Sequence, residues 1–179
     1  MRKDQGDFLR NRRSFRNNRK ICSFRREVRV KVLVINGPNL GSLGRRDPIQ
    51  YGKTTLRELN GLVGAYAETK GLTAEFYHSN HEGDIIDAIE NADADAILIN
   101  AGAYTHYSYA IRDALEIFGG VKAEVHLSDI TSREEFRKIR VFRDVVDGFF
   151  CGKKEKSYFE ALDFIADRLT NKAEAAYEK

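Results

Sequence analysis

Tyrosine, arginine, histidine and asparagine, with one well-placed glutamate, are the side chains of this sequence whose types and spacing suggest chemistry. Asn39, Arg46 and Tyr51 share one glycine-rich stretch, Asn36 to Gly52, while Asn100 and His106 bracket a second turn and Glu124 stands two residues before His126. Such a set is suited to moving protons without a metal or a redox group. A tyrosine, whose ordinary pKa is near 10, serves as a base at neutral pH only where positive charge favours its phenolate. Arg46, five residues away on the same stretch, can supply that charge. A histidine opposite can protonate a departing hydroxyl, and asparagines can hold a water or steady an enolate. Glycines at 37, 41, 44 and 52 and the adjacent Arg45 and Arg46 give the stretch mobility and charge, which suggests a lid over an anionic substrate. The plainer alternative is an ordinary polar connection.

Other chemistries find less support. His78, His81 and Glu82 are close in sequence but form a poor metal-ligand set, and capping and packing account for His81 and Glu82 better. The glycine-rich stretch lacks both the dinucleotide G-x-G-x-x-G spacing and the P-loop Lys-Ser/Thr. Cys151 sits in an apolar segment and reads as core, and no G-x-S-x-G elbow occurs. His126, Tyr51 and Glu124 also admit structural readings, as a core histidine, a packing residue of the lid and a partner for some other donor.

The elements that must position these residues alternate between strand and helix. A β-branched run, Lys31 to Ile35, is closed by Asn-Gly-Pro-Asn and reads as a buried first strand ending in a tight turn. Thr55 with Glu58 fits a capping box, and apolar residues recur at helical spacing from Leu56 to Tyr66 until Gly71 stops the helix. Thr73 to Ser79 reads as strand two, a helix carries Ile85, Ile86 and Ile89, and Ala96 to Ile99 is strand three. A helix through Ile111 and Leu115 leads to strand four, Val121 to Leu127. Ser132 and Glu135 suggest a second capping box on a short helix, Val145 to Phe150 is strand five, and residues 155–169 form the last helix. Five strands alternating with five helices predict a three-layer α/β sandwich on a parallel sheet, in the flavodoxin-like order 2-1-3-4-5. Ligands of such sheets bind beyond the carboxyl ends of the strands where the order reverses, which is where Asn39, Asn100, His106 and His126 fall.

At 179 residues the chain is most simply one domain, residues 31–170, with an N-terminal extension (1–30) and a C-terminal tail (171–179). Lys and Arg number 30 against 27 acids, yet residues 1–30 hold 11 against three, leaving 19 against 24 in the rest. The basic balance therefore belongs to the extension, and the domain loses the electrostatic case for binding nucleic acid. The extension is Arg- and Asn-rich without helical period and reads as disordered. A targeting or polyanion-binding arm, an accessory segment at an oligomer surface, and translation that begins at Val28 are the competing accounts; the run Val28-Arg-Val-Lys-Val favours the last. No stretch has the length of a membrane span or a secretory apolar region, so a soluble protein is expected, without a membrane partner. Two cysteines, Cys22 and Cys151, predict free thiols in a reducing, cytoplasmic setting.

Five segments together resemble the type II dehydroquinases. They are Asn36-Gly-Pro-Asn-Leu40; Gly44-Arg-Arg-Asp-Pro48 with Tyr51-Gly52; Ser79-Asn-His-Glu-Gly83; Asn100-Ala-Gly-Ala-Tyr-Thr-His106; and Glu124-Val-His-Leu-Ser-Asp-Ile130 with Arg133-Glu-Glu-Phe-Arg137. The resemblance runs from about Lys31 to Leu169. It implies elimination of water from 3-dehydroquinate to give 3-dehydroshikimate, with no metal and no cofactor, and a trimer-based homododecamer. By the same resemblance Tyr51 is the base, Arg46 its activator, Asn39 the holder of a water near the enolate, His126 the general acid and Glu124 the residue that orients it. Asn100, His106 and Arg137 resemble substrate ligands, Leu127 and Ser128 the carboxylate site, and Asp113 a residue that reaches a neighbouring subunit's site. The chain departs from the family pattern at Tyr107 and over Lys138 to Lys154, and none of these departures falls on the expected proton-transfer residues. A phosphate- or flavin-binding module of the same fold and an RNA-associated protein are the rival readings.

Overall fold

The computed structural model describes residues 30–177, so the expectations for the N-terminal extension and Cys22 lie outside the described residues. Five parallel strands form one sheet in the order β2-β1-β3-β4-β5, as the alternation predicts. They are β1 (Val30–Asn36), β2 (Leu72–His78), β3 (Ala96–Asn100), β4 (Val121–His126) and β5 (Gly148–Cys151). The helices are the single turn α1 (Pro48–Tyr51), then α2 (Leu56–Thr69), α3 (Glu82–Glu90), α4 (Tyr109–Ile117) and α5 (Glu155–Tyr177).

Side chains alternate across the sheet, so a strand buried on both faces feeds two cores. In β3, Ala96 and Leu98 point to the layer of α2 and α5, while Ile97 and Ile99 point to that of α3 and α4. Val34, Val63 and Leu162 fill the first layer and Ile35, Ile85 and Ile111 the second, all fully buried. Burial of this kind stabilises by about 1.5–3 kcal/mol for each large aliphatic side chain. Helix α2 begins at the expected capping box: Thr55 Oγ1 accepts the Glu58 N–H at 3.3 Å and Glu58 Oε2 accepts the Thr55 N–H at 2.8 Å.

Beyond β4 the chain departs from the pattern in its sequence. No α-helix joins β4 to β5; 3-10 turns at Ile130–Ser132 and Glu135–Lys138 take its place. The Ser132–Glu135 capping box does not form, because Asp129 caps the earlier turn: its carboxylate accepts the Thr131 N–H at 2.9 Å, and the Ser132 hydroxyl donates to the Asp129 carbonyl at 3.1 Å. Strand five starts at Gly148 rather than Val145, since the N–H groups of Val145 and Val146 turn back to the Phe142 carbonyl at 3.0 and 3.1 Å. Both valines pack on the α3/α4 core instead. The last helix runs on to Tyr177, past residue 169.

The sheet order reverses at β1, and Asn36 and Asn100 stand side by side at the carboxyl ends of β1 and β3. Gly37 follows with its backbone so near Ala101 that a Cβ would lie 2.7 Å from the Ala101 carbonyl oxygen. That approach brings the two site loops together.

Candidate active site

The first loop is shaped by residues at the end of β2. Asn39 takes a left-handed backbone, φ 65°, which asparagine tolerates better than most residues, and its N–H donates to Asn80 Oδ1 at 2.9 Å. The Gly41 N–H donates to His78 Nε2 at 3.2 Å, so His78 holds this loop. Among the described residues no group of three or more His, Cys, Asp or Glu is arranged to hold a metal ion.

The turn α1 is capped by Asp47, whose side chain accepts the Ile49 N–H at 2.9 Å, with Pro48 at the first helical position. This turn presents Tyr51 to the cleft. Arg46 Nη2 donates to the Tyr51 hydroxyl oxygen at 2.9 Å, and its guanidinium lies 3.8 Å from the ring centroid. Arg133 Nη1 donates to the same oxygen at 2.8 Å. Two cationic donors on one phenolic oxygen stabilise negative charge there. Arg133 was not singled out by sequence reasoning, although it opens the same motif that ends at Arg137; the spacing within one motif was the available signal.

Opposite lies a histidine–carboxylate pair on β4, whose alternation puts Glu124 and His126 on one face. His126 Nε2 and Glu124 Oε1 are 2.9 Å apart, and the Thr105 hydroxyl donates to the same oxygen at 2.8 Å. Arg140 donates to Glu124 Oε2 through Nε at 3.1 Å and Nη2 at 2.5 Å. The departures after Arg137 fall on none of the expected proton-transfer residues, yet the 3-10 turn folds Arg140 back onto Glu124. Burial alone would raise the Glu124 carboxyl, but the His126 and Arg140 contacts outweigh it and hold it below the ordinary carboxylate value.

His106 closes another side. Its Nδ1–H donates to the Ile139 carbonyl at 2.7 Å, and Nε2 is buried with no partner among the described residues. Burial, the dominant influence, pushes the His106 ring below the ordinary imidazole value, with the Ile139 bond opposing. A neutral ring with a free Nε2 at the cleft can accept a hydroxyl proton. Asn100 is fixed from beneath: its Nδ2 donates to the Tyr158 hydroxyl at 2.9 Å, and that hydroxyl donates to Asn36 Oδ1 at 2.9 Å. Tyr158, fully buried on α5, is a second residue that sequence reasoning missed.

Of the expected site residues, Asn39, Arg46, Tyr51, Asn100, His106, His126, Leu127, Ser128 and Arg137 line one cleft, and Glu124 stands directly behind His126. Arg137 is tied to Glu134 at 2.8 Å. Asp113 is not among them: it lies on α4, 67% exposed and paired with Arg112.

Residues 30–166 match the family model described as dehydroquinase class II. A protein of Thermotoga neapolitana named 3-dehydroquinate dehydratase is 48% identical over 136 residues, 76% of this chain and 94% of that one. Its namesake from Thermotoga maritima is 46% identical over 140 residues, 78% of this chain and 97% of that one. The crystal structure of type II dehydroquinase from Butyrivibrio crossotus superposes with a TM-score of 0.74 at 47% identity, covering 76% of this chain and 97% of that one. With 137 consecutive residues inside the family model and the cleft assembled from the motifs that carry the resemblance, this chain belongs to the class II dehydroquinases.

Proposed function

We propose that this chain is a 3-dehydroquinate dehydratase that removes water from 3-dehydroquinate by anti elimination through an enolate. The observation that carries the reading is the Tyr51 oxygen under two guanidinium donors, facing a buried His126–Glu124 pair over one cleft. Tyr51 takes the proton from the carbon next to the ketone, and the electron pair of that C–H bond moves to form the enolate. A water held by Asn39 donates to the enolate oxygen. The enolate then reforms the ketone, its electrons make the ring double bond, and the C–O bond breaks as His126 protonates the departing hydroxyl. Glu124 steadies the ring of His126 throughout. Asn100, His106 and Arg137 bind the ring substituents, and Leu127 and Ser128 face the substrate carboxylate.

In the same reading the domain is 31–170, the chain serves aromatic biosynthesis or quinate breakdown in the cytoplasm, and it works as a trimer-based assembly in which Asp113 completes a neighbour's cleft. Support for the assembly is the exposed face around α4, where Tyr107, Tyr109 and Ile117 are 59, 66 and 78% exposed beside Asp113. The test is direct: purified protein is mixed with 3-dehydroquinate and the ultraviolet absorbance of the conjugated enone is followed. A steady rise that stops at equilibrium is the expected result; absorbance that stays at the no-enzyme level would sink the reading.

A further inference from the structure

The four residues Ile139 to Phe142 lie outside the cleft yet hold His106, which lines it, and Glu124, which stands behind His126. The Ile139 carbonyl accepts from His106, the Val141 N–H donates to the Thr105 carbonyl at 3.0 Å, and Phe142 is fully buried in the α3/α4 core. Between them Arg140 sits with its guanidinium 3.4 Å from the Phe149 ring centroid and bonded to Glu124. Glu124 has no exposed surface, and its two oxygens take four donors: His126 and Thr105 on Oε1, two Arg140 nitrogens on Oε2. A carboxylate so saturated cannot rotate, and it requires Nε2 of His126 to carry a proton. Nδ1 is then the nitrogen that exchanges protons with a reactant.

Arg140 also decides how much of the Glu124 charge His126 receives. Without Arg140, Glu124 and a protonated His126 form a closed ion pair in a dry site, which makes the histidine reluctant to release its proton. With it, the carboxylate is already neutralised. We propose that Arg140 is a positioning residue for the general acid, acting through Glu124 to fix the ring of His126 and keep its proton transferable. This rests on the dehydration reading above. The other charged or titratable groups facing His126 are His106, Arg137, Cys151 on the neighbouring strand, and Arg46, Tyr51 and Arg133 across the cleft. Their positions do not depend on Arg140, except that His106 is held by the adjoining Ile139.

The test uses Arg140→Gln and Arg140→Met, which remove the charge, and Arg140→Lys, which keeps it. In both neutral variants the alkaline limb of the kcat/KM profile should move up by about one pH unit or more, the size of effect an adjacent charge exerts. Turnover should fall while KM changes little, since Arg140 does not line the cleft. Arg140→Lys should keep the limb near its original position. The imidazole signal of His126, followed by NMR without substrate and assigned with His126→Asn, should shift its midpoint in the same direction and reads the contact whether or not 3-dehydroquinate is turned over. A shifted midpoint in a protein that does not dehydrate 3-dehydroquinate would retain the charge coupling and reject the reaction. An unmoved limb and midpoint in whichever neutral variants fold, even with reduced turnover, would overturn the positioning role.

Discussion

Tyr51 accepts hydrogen bonds from two guanidinium groups on its phenolic oxygen, the atom that takes the carbon-bound proton in the proposed reaction, and Tyr51→Phe removes that atom while keeping the ring. Turnover should drop by a factor at or above the roughly 10²–10⁴ of general acid–base catalysis, with KM little changed; near wild-type turnover would refute the base assignment. Arg46→Ala and Arg133→Ala each leave one cationic donor in place. Either should lower turnover, and the double variant should lower it further, whereas His126→Ala should lose net dehydration more completely than exchange of the abstracted proton with solvent. Tyr51 with Arg46 was legible because five residues of one loop separate them. Arg133 lies 82 residues from Tyr51, and Tyr158 lies 58 from Asn100, separations that no local spacing reveals.

The two Ser/Thr-x-x-Glu patterns show what elements add to residues. Thr55 and Glu58 form their capping box because an amphipathic run follows for them to start. Ser132 and Glu135 have no such run, and Asp129 claims the turn first. Thr55→Ala should therefore cost about 1 kcal/mol in a denaturant titration, while Ser132→Ala should stay within about 0.5 kcal/mol of the parent. The strands of the central sheet were legible from their β-branched runs; the β4–β5 connection was not, since its residues follow turns that answer to Glu124 and His106 and to no period. Those contacts also set the response to acid. The His106 ring is held below its ordinary value of 6.5, so the unfolded chain takes up that proton first and stability declines as pH falls below about 6.5. The Glu124 carboxyl is held below its ordinary 4.5, so its contribution persists to lower pH and is lost as pH falls through its folded value. A stability curve against pH should show both phases, with His106→Gln flattening only the first; a flat curve from pH 7 to 5 would contradict the buried neutral ring.

For the whole molecule, alternating strands and helices with short connections left few topologies, and the order 2-1-3-4-5 follows from right-handed crossovers. The assembly is a different matter, because one chain's sequence does not mark which exposed face meets a copy. Sedimentation at assay concentration should find at least a trimer, and a fully active monomer would rule out a cleft completed by Asp113. The described residues of both cores and of the cleft lie within 30–169, and the sequence of residues 1–27 is basic and weakly apolar, so deleting them should leave turnover and the melting temperature nearly unchanged. The bond from Tyr158 to Asn36 spans 122 residues and reaches back from the last helix to the first strand. A ribosome adds about 5–20 residues per second, so the two asparagines leave the exit tunnel seconds before the phenol that ties them. Tyr51, Glu124 and His126 are all translated by then, yet the floor between them is missing. A nascent chain arrested short of Tyr158 should be silent in the enone assay and gain activity only once Tyr158 has left the tunnel and α5 has docked on the sheet, so the cleft is finished by an element made long after its reacting side chains.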